Sequence, residues 1–376
     1  MSDSIYYYLS YIIFFSLSII FSVLINGLFL KFARTLGIRQ KEKQDIIRWA
    51  STSKPSIGGF SLYIIFLIAI SIYSILGFSG AQLFNRQLVG ILLSFSFGFL
   101  VGLADDAYNT NPLLKFIGQA LCGVILIFSG IVIHLTGIYS VDVFITMIWV
   151  IGIMNSVNML DNMDGITASI SVTILFACLF TLAFENTFFS IYTFICIGIT
   201  GALFGFLFYN IHPSKMYMGD TGSQFLGVAL SALSILLLWN HRDLNGPAFQ
   251  FKQLLAPLMA FTVPVIDTAT VFIRRIARGQ SPFIGGKDHT THHLAYLGFN
   301  DRTVMYIIAT VSLFSATLCS VTILFFDDIN GTMTFILLTW FVLLFLFVQY
   351  IYNLGKKKHE EQMAIDSEKE TANEMA

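Results

Sequence analysis

The sequence predicts an all-α, polytopic integral membrane helical bundle of about eleven transmembrane helices, and three observations carry that prediction. Of 376 residues, 56% are hydrophobic and only 11% are charged, with a mean hydropathy of +0.76, a composition suited to lipid rather than water. Apolar runs long enough to cross a bilayer recur along the whole chain. Lys and Arg fall almost entirely on one side of the alternation that these runs impose.

The runs can be taken in order. Residues 5–32 are too long for the apolar core of a signal peptide and lack a basic lead, so they are expected as a retained first span. The run 59–78 opens on a glycine pair, 88–104 ends at Asp105-Asp106, and 113–135 follows Pro112. The run 141–157 ends among carboxamides, 166–183 follows Gly165, and 188–209 ends at Asn210. The run 222–239 follows a Gly-Asp-Thr-Gly turn, and 254–273 carries Pro264 and Asp267. The last two, 304–326 and 333–354, lead into a charged tail. Residues 1–355 are thus expected as one membrane domain and 356–376 as a mobile cytoplasmic tail.

An odd number of spans puts the two ends of the chain on opposite sides. Of the 21 Lys and Arg residues, all but Arg86, Arg242 and Lys252 fall on one side. The positive-inside rule makes that side cytoplasmic, with the N-terminus outside and the C-terminus inside. One span more or fewer would scramble this split. The four cysteines sit inside apolar runs without metal-ligand spacing, which marks them as packing residues. A net charge of −1 gives no sign of a nucleic-acid partner. The longest cytoplasmic connections, near 33–57 and 274–301, are too short to fold alone.

Polar side chains at membrane depth are costly, so their clusters point to a site. The stretch NSVNMLDNMDG, residues 155–165, brings Asn155, Asn158, Asp161 and Asp164 at intervals of three. On a helix continuing from the fifth span they would share one face, and a face of amides and acids can hold a cation. The third span ends in GLADDAYNTNPLLK, with Asp105 and Asp106 at the boundary and Lys115 just before the next span. Adjacent carboxylates repel, and a magnesium ion would answer the repulsion. Solvated acids at a helix end are the plainer reading.

After the seventh span comes YNIHPSKMYMGDTGS, in which Asp220 lies between glycines. Asp220 reads either as a helix N-cap or as a metal ligand where backbone can approach closely. Tyr217 reads either as an interfacial residue or as a platform for a flat ring. The ninth span runs into a loop containing Arg274, Arg275, Arg278 and KDHTTHHL, with His289, His292 and His293 within five residues. That spacing admits zinc, but no thiolate accompanies it and the acids elsewhere suit a harder cation, so pyrophosphate binding ranks higher. Lys54 precedes a glycine pair in KPSIGG, residues 54–59, a motif weak by itself. In this topology every cluster lands at the cytoplasmic face.

Together, in this order, these motifs resemble those of the polyprenyl-phosphate N-acetylhexosamine-1-phosphate transferases, the glycosyltransferase 4 family. The resemblance runs from KPSIGG to KDHTTHHL, almost the whole chain. It implies transfer of a sugar 1-phosphate, most simply GlcNAc-1-phosphate, from a UDP-N-acetylhexosamine to undecaprenyl phosphate, releasing UMP. It further implies Mg2+, with Mn2+ as a substitute, at the cytoplasmic face of a bacterial inner membrane, and a homodimer. By the same resemblance Asp105 and Asp106 are the essential acidic pair, Lys115 holds pyrophosphate, and Asp220 ligates the metal with help from Asn158. Asp161 and Asp164 belong to the nucleotide side, with Lys54 and Asn155 among the substrate contacts. Asn210 would meet uracil, Tyr217 stands where a stacking Phe is usual, and His289, His292 and His293 frame the pyrophosphate and sugar.

Two departures stand out. Asn162 replaces the glycine usual after the first aspartate of its motif, and the loop lacks the three consecutive histidines of the muramoyl-pentapeptide branch. The second favours a UDP-GlcNAc-like donor, with the muramoyl-pentapeptide phosphotransferase as the alternative. A lateral groove between spans is expected for the isoprenoid. A secondary transporter would also carry intramembrane acids and broken helices, but the charges cluster at one face and no inverted repeat is visible. A channel or scaffold explains neither the Gly-Asp turn nor the histidine loop.

Overall fold

The computed structural model describes residues 2–35, 54–75, 85–184, 190–241, 249–281, 286–326 and 329–374. The basic residues Arg39, Lys41, Lys43, Arg48 and Arg242 lie outside them.

The chain orders its helices as α1 (Ser2–Thr35), α2 (Gly59–Ile75), α3 (Arg86–Tyr108), α4 (Pro112–Phe128), α5 (Tyr139–Leu160), α6 (Ile166–Phe184), α7 (Ile191–Asn210) and α8 (Gly219–Ser234). A π turn at Ile235–Trp239 ends α8. Then follow α9 (Phe251–Ala260), α10 (Thr262–Ala277), α11 (Thr290–Tyr296), α12 (Asp301–Phe325) and α13 (Gly331–Glu374). Among the described residues the only non-helical pairing is an isolated parallel bridge between Ser56 and Tyr217. Only helices satisfy every backbone group within one lipid-solvated segment, which is why the apolar runs take this form.

Among the described residues eight helices are long and apolar enough to span a membrane, nine if α9 and α10 count as one broken span. The shorter apolar helices α2 and α4 occupy the second and fourth expected runs. At the centre, α8 is buried on all sides, with Phe225, Leu226, Val228, Ala229 and Ala232 wholly enclosed. Its neighbours α3 and α5 are each less than half buried, and α13 leaves most of its apolar surface outward. All four cysteines are free and buried, as packing residues would be.

Three expectations need correction. The ninth run was expected as one span, but it breaks at Phe261 and bends by 83° between α9 and α10. Pro264 has no N–H to return to the Ala260 carbonyl, so the helix cannot pass through straight. The face shared by Asn155, Asn158, Asp161 and Asp164 does not form, because α5 ends at Leu160 and Gly165 turns the chain at φ +78°. Only the two asparagines remain on α5. The charged segment from Lys356, expected as a mobile tail, continues α13 as helix to Glu374. Its Lys356–Glu360 and Lys357–Glu361 pairs sit at the helical spacing of four, and Lys358 Nζ donates to the Leu297 carbonyl at 2.8 Å.

Chain direction alternates so that the ends of α3, α5, α7 and α10 meet the starts of α2, α4, α6, α8 and α12 at one end of the bundle. All the polar motifs are there. The opposite end is closed by local bonds such as Asn240 to His134 and Val132.

Candidate active site

One wall of the site is built where α2, α3 and α8 touch through backbone. A Cβ on Gly59 would lie 2.3 Å from the Gly222 nitrogen, and one on Gly102 would lie 2.1 Å from the Asp220 carbonyl oxygen. Side chains there would separate the helices. The loop before α2 lies along the loop before α8: Tyr217 N donates to the Pro55 carbonyl at 2.9 Å, and Gly58 N to the Tyr217 carbonyl at 3.1 Å. The weak KPSIGG motif is thereby joined to MYMGDTGS.

Asp106 caps α8 from a different helix. Its carboxylate accepts from Asp220 N at 3.1 Å and from Thr221 N and Oγ1 at 2.8 and 2.6 Å. An acid at a helix N-terminus satisfies orphan N–H groups and complements the helix dipole. This pairing turns the side chain of Asp220 into the site, which leaves Asp220 free of the capping role its sequence position allowed.

Asp220 meets Lys115 and Asn158 there. The Lys115 Nζ lies 2.9 Å from Asp105 Oδ2, 3.1 Å from Asn158 Oδ1 and 3.3 Å from Asp220 Oδ2. Asn158 Nδ2 donates to Asp220 Oδ1 and, at 2.9 Å, to Ser223 Oγ. Thr110 N donates to Asp105 at 2.9 Å. Three oxygens from α3, α5 and α8 therefore converge on one cationic nitrogen. Among the described residues no three His, Cys, Asp or Glu side chains gather closely enough to hold a metal by themselves. The oxygen set still fits magnesium, which takes one or two carboxylates and fills its remaining positions with phosphate and water. Asp220 and Asn158 would hold it.

Asn155 lies one turn deeper, away from this point. Its amide exchanges bonds with Gln119, which also donates to Gln224 at 3.0 Å. Sequence reasoning missed this amide layer beneath the acids, although Gln119 and Gln224 are themselves polar residues in apolar runs.

Asp164 is engaged by the loop after α7. It accepts from Ser214 N at 3.0 Å and Ser214 Oγ at 2.7 Å, with His212 Nδ1 at 3.0 Å and Lys54 Nζ at 3.7 Å. Asn210 is likewise spent on backbone, accepting from Gly165 N and donating to the Met216 carbonyl, both at 3.0 Å. Asp164 and Asn210 thus hold two loops together. Tyr217 lies beneath Lys54, whose Nζ is 5.1 Å from the ring centre. Asp161 follows α5, where burial, with Asp220 and Asp106 nearby, pushes its carboxyl up to about 7.

The second wall is the histidine loop. Asp267 on α10 organises it, accepting from Thr290 N at 2.9 Å and Thr290 Oγ1 at 2.8 Å, with His289 Nδ1 at 2.7 Å. Burial holds the His292 ring down to about 3 and the His293 ring down to about 4, so both are neutral at physiological pH. Against the desolvation that would raise it, bonds from Arg275 and Arg278 keep the Asp288 carboxyl below the usual range. Tyr352 of α13 packs between Arg274, 3.8 Å from its ring centre, and His293, at 4.5 Å between centroids. Gln349 accepts from Arg274 Nε and Nη2 at 3.2 and 3.1 Å.

The walls are joined by Thr291 Oγ1, which donates to Asn162 Oδ1 at 2.9 Å. Asn162 is the residue that departs from the usual glycine. Its departure was legible in the sequence, its partner was not. Beside this junction a small apolar pocket opens among α10, α12 and α13, lined by Leu160, Ile266, Leu294, Val311, Leu344 and Ile351, with Asp267 and Thr290 at its polar edge.

Residues 88–238 match the family model described as glycosyl transferase family 4. The chain is 28% identical to the Bacillus subtilis protein named "Probable undecaprenyl-phosphate N-acetylglucosaminyl 1-phosphate transferase", over 70% of this chain and 72% of that one. It is 26% identical to a decaprenyl-phosphate N-acetylglucosaminephosphotransferase of Mycobacterium leprae, over 68% and 70% respectively. It is 27% identical to a phospho-N-acetylmuramoyl-pentapeptide-transferase of Geobacillus thermodenitrificans, over 81% of this chain and 94% of the relative.

Proposed function

This chain belongs to glycosyl transferase family 4, and on that premise we propose that it transfers N-acetylhexosamine 1-phosphate, most simply GlcNAc-1-phosphate, from a UDP-sugar to undecaprenyl phosphate. The products are the lipid-linked diphosphate sugar and UMP. The reaction takes place at the cytoplasmic face of a bacterial inner membrane, since an isoprenoid cannot leave the bilayer and a nucleotide sugar cannot enter it. The single observation that carries the reading is the convergence of Asp105, Asn158 and Asp220 oxygens on the Lys115 ammonium.

An oxygen of the lipid phosphate attacks the β-phosphorus of the UDP-sugar. The bond from that phosphorus to the bridging oxygen breaks, and UMP leaves with the electron pair. Phosphoryl transfer depends chiefly on positioning and charge neutralisation. Bound magnesium, held by Asp220 and Asn158, would supply Lewis-acid neutralisation of the diphosphate. Lys115 balances charge on the equatorial oxygens. The neutral rings of His292 and His293 offer N–H donors to phosphate oxygens without competing for the metal's charge. A phosphate monoester is already largely dianionic near pH 7, its second pKa being about 6, so no strong base is needed. That agrees with Asp106 being spent on the α8 cap. The apolar pocket among α10, α12 and α13 supports a lipid path that ends beside Asp267 and the histidine loop.

Magnesium-dependent UMP release, measured with undecaprenyl phosphate and each of UDP-GlcNAc, UDP-GalNAc and UDP-MurNAc-pentapeptide, tests the reading. Release with UDP-GlcNAc alone supports it. Release with the pentapeptide donor selects the second reading, which the 94% coverage of the Geobacillus relative favours. Silence with all three in folded protein removes both.

A further inference from the structure

We propose that the Lys115 ammonium is a tethered cation that holds the divalent-metal position in the nucleotide-free protein and withdraws toward an incoming diphosphate, so that metal and nucleotide load together. The inference rests on the metal site of the reading above and adds what guards it.

The geometry places the ammonium where a cation belongs. Asp105 Oδ2, Asn158 Oδ1 and Asp220 Oδ2 all lie within 3.3 Å of Nζ. Asn158 has no second oxygen to offer, and its Nδ2 is spent on Asp220 and Ser223. The one atom through which this amide can ligate a hard cation therefore faces Lys115. A magnesium ion needs ligands at about 2.0–2.1 Å, so it cannot use these oxygens while a second cation sits among them.

Two further features say when the ammonium leaves. Among the described residues the protein offers too few clustered acids to hold a metal unaided, so the remaining anionic ligands must arrive with the substrate. Lys115 stands in the first turn of α4 on a flexible four-carbon stem, with 16% of its side chain exposed. Its head can swing to a diphosphate without backbone motion. One swing then does two things: it vacates the metal position and neutralises the anion. By linkage, nucleotide raises metal affinity as much as metal raises nucleotide affinity.

The test is Mn2+ binding to the purified full-length protein, read by electron paramagnetic resonance of free Mn2+, with and without UDP. Wild-type protein should bind Mn2+ weakly alone and more tightly with UDP. Lys115→Met should bind Mn2+ at least tenfold more tightly than wild type in the absence of nucleotide, and UDP should add less to it. Lys115→Gln, which keeps a polar head, should move the same way and covers the case in which the methionine variant fails to fold. Asp220→Asn added to either variant should erase the gain. Nucleotide-free affinities no tighter than wild type in both variants, or a gain that survives Asp220→Asn, would overturn the proposal while leaving the metal reading standing. No Mn2+ binding by any of these proteins, even with UDP, would remove the metal reading and this proposal with it.

Discussion

On the acid wall, Asp105, Asp106, Asp164 and Asp220 each meet hydrogen-bond donors or cations from other elements, and Asn158 spends both ends of its amide. On the histidine wall, His293 is buried against the Tyr296 and Tyr352 rings, and neither of its nitrogens has a hydrogen-bond partner among the described residues. The first wall is held by directional, charge-assisted bonds between four helices. The second is one loop, anchored at Asp267 and leaning on α13. Charges facing each other near hydrocarbon must be paired, so the acid wall is fixed before substrate arrives. A neutral imidazole tolerates apolar packing, so its donors can stay in reserve for phosphate oxygens.

The largest effect should come from removing the proposed metal ligand of the acid wall. Asp220→Ala is expected to lower UMP release by about two to three orders of magnitude, the scale of losing one preorganised electrostatic group. Near-normal turnover would break the comparison by showing that this wall is structural.

Asp106 separates capping from chemistry. Asp106→Ala should cost about 1 kcal/mol, as N-cap losses do, and weaken Mn2+ binding by misplacing Asp220. Asp106→Asn keeps an acceptor and should retain more of both, which denaturation and metal titration would check. An asparagine variant as impaired as the alanine one would make Asp106 more than a cap.

The junction should matter less than either wall. Thr291→Val removes the bond to Asn162, and kcat should fall roughly tenfold, about the 1.4 kcal/mol of one hydrogen bond, while Mn2+ affinity stays unchanged. A change in metal affinity would mean that the walls are coupled rather than merely joined. For α13, Tyr352→Phe should be close to wild type, whereas Tyr352→Ala should lose about 1–2 kcal/mol of stability through the stacked Arg274.

The smallest effect is one of pH. The His292 and His293 rings titrate below their ordinary 6.5, near 3 and 4, so the unfolded chain binds more protons than the folded one between those values. Their contribution to stability is full above about pH 6.5 and is lost as pH falls toward 4. The double variant His292→Gln/His293→Gln should flatten the melting temperature across that window. An unchanged slope would mean the rings are not held neutral.

Much of the helical plan was legible because hydropathy acts locally: most of the expected apolar runs follow one helix, whereas the fourth outruns α4, which stops at Phe128, and a proline breaks the ninth. The acids and histidines were legible because a polar residue is conspicuous in apolar sequence. Asp161 and Asp164 were misplaced by the same logic, since an interval of three describes a shared face only while the helix lasts, and α5 ends at Leu160. Gln119, Ser214, Thr291 and Tyr352 were not singled out, because each matters only through a partner far away in sequence.

By itself, then, the sequence determined that this is a helical membrane protein and which polar residues must be accounted for, because the costs of exposing backbone and burying charge are paid residue by residue. Tertiary structure alone decided that Asp106 caps α8 so that Asp220 can face the site, that Asp164 holds a loop, and that one ammonium sits among three oxygens. Those outcomes depend on angles and distances between helices, which arise from packing glycine against glycine at Gly59 and Gly222 and are written in no single segment.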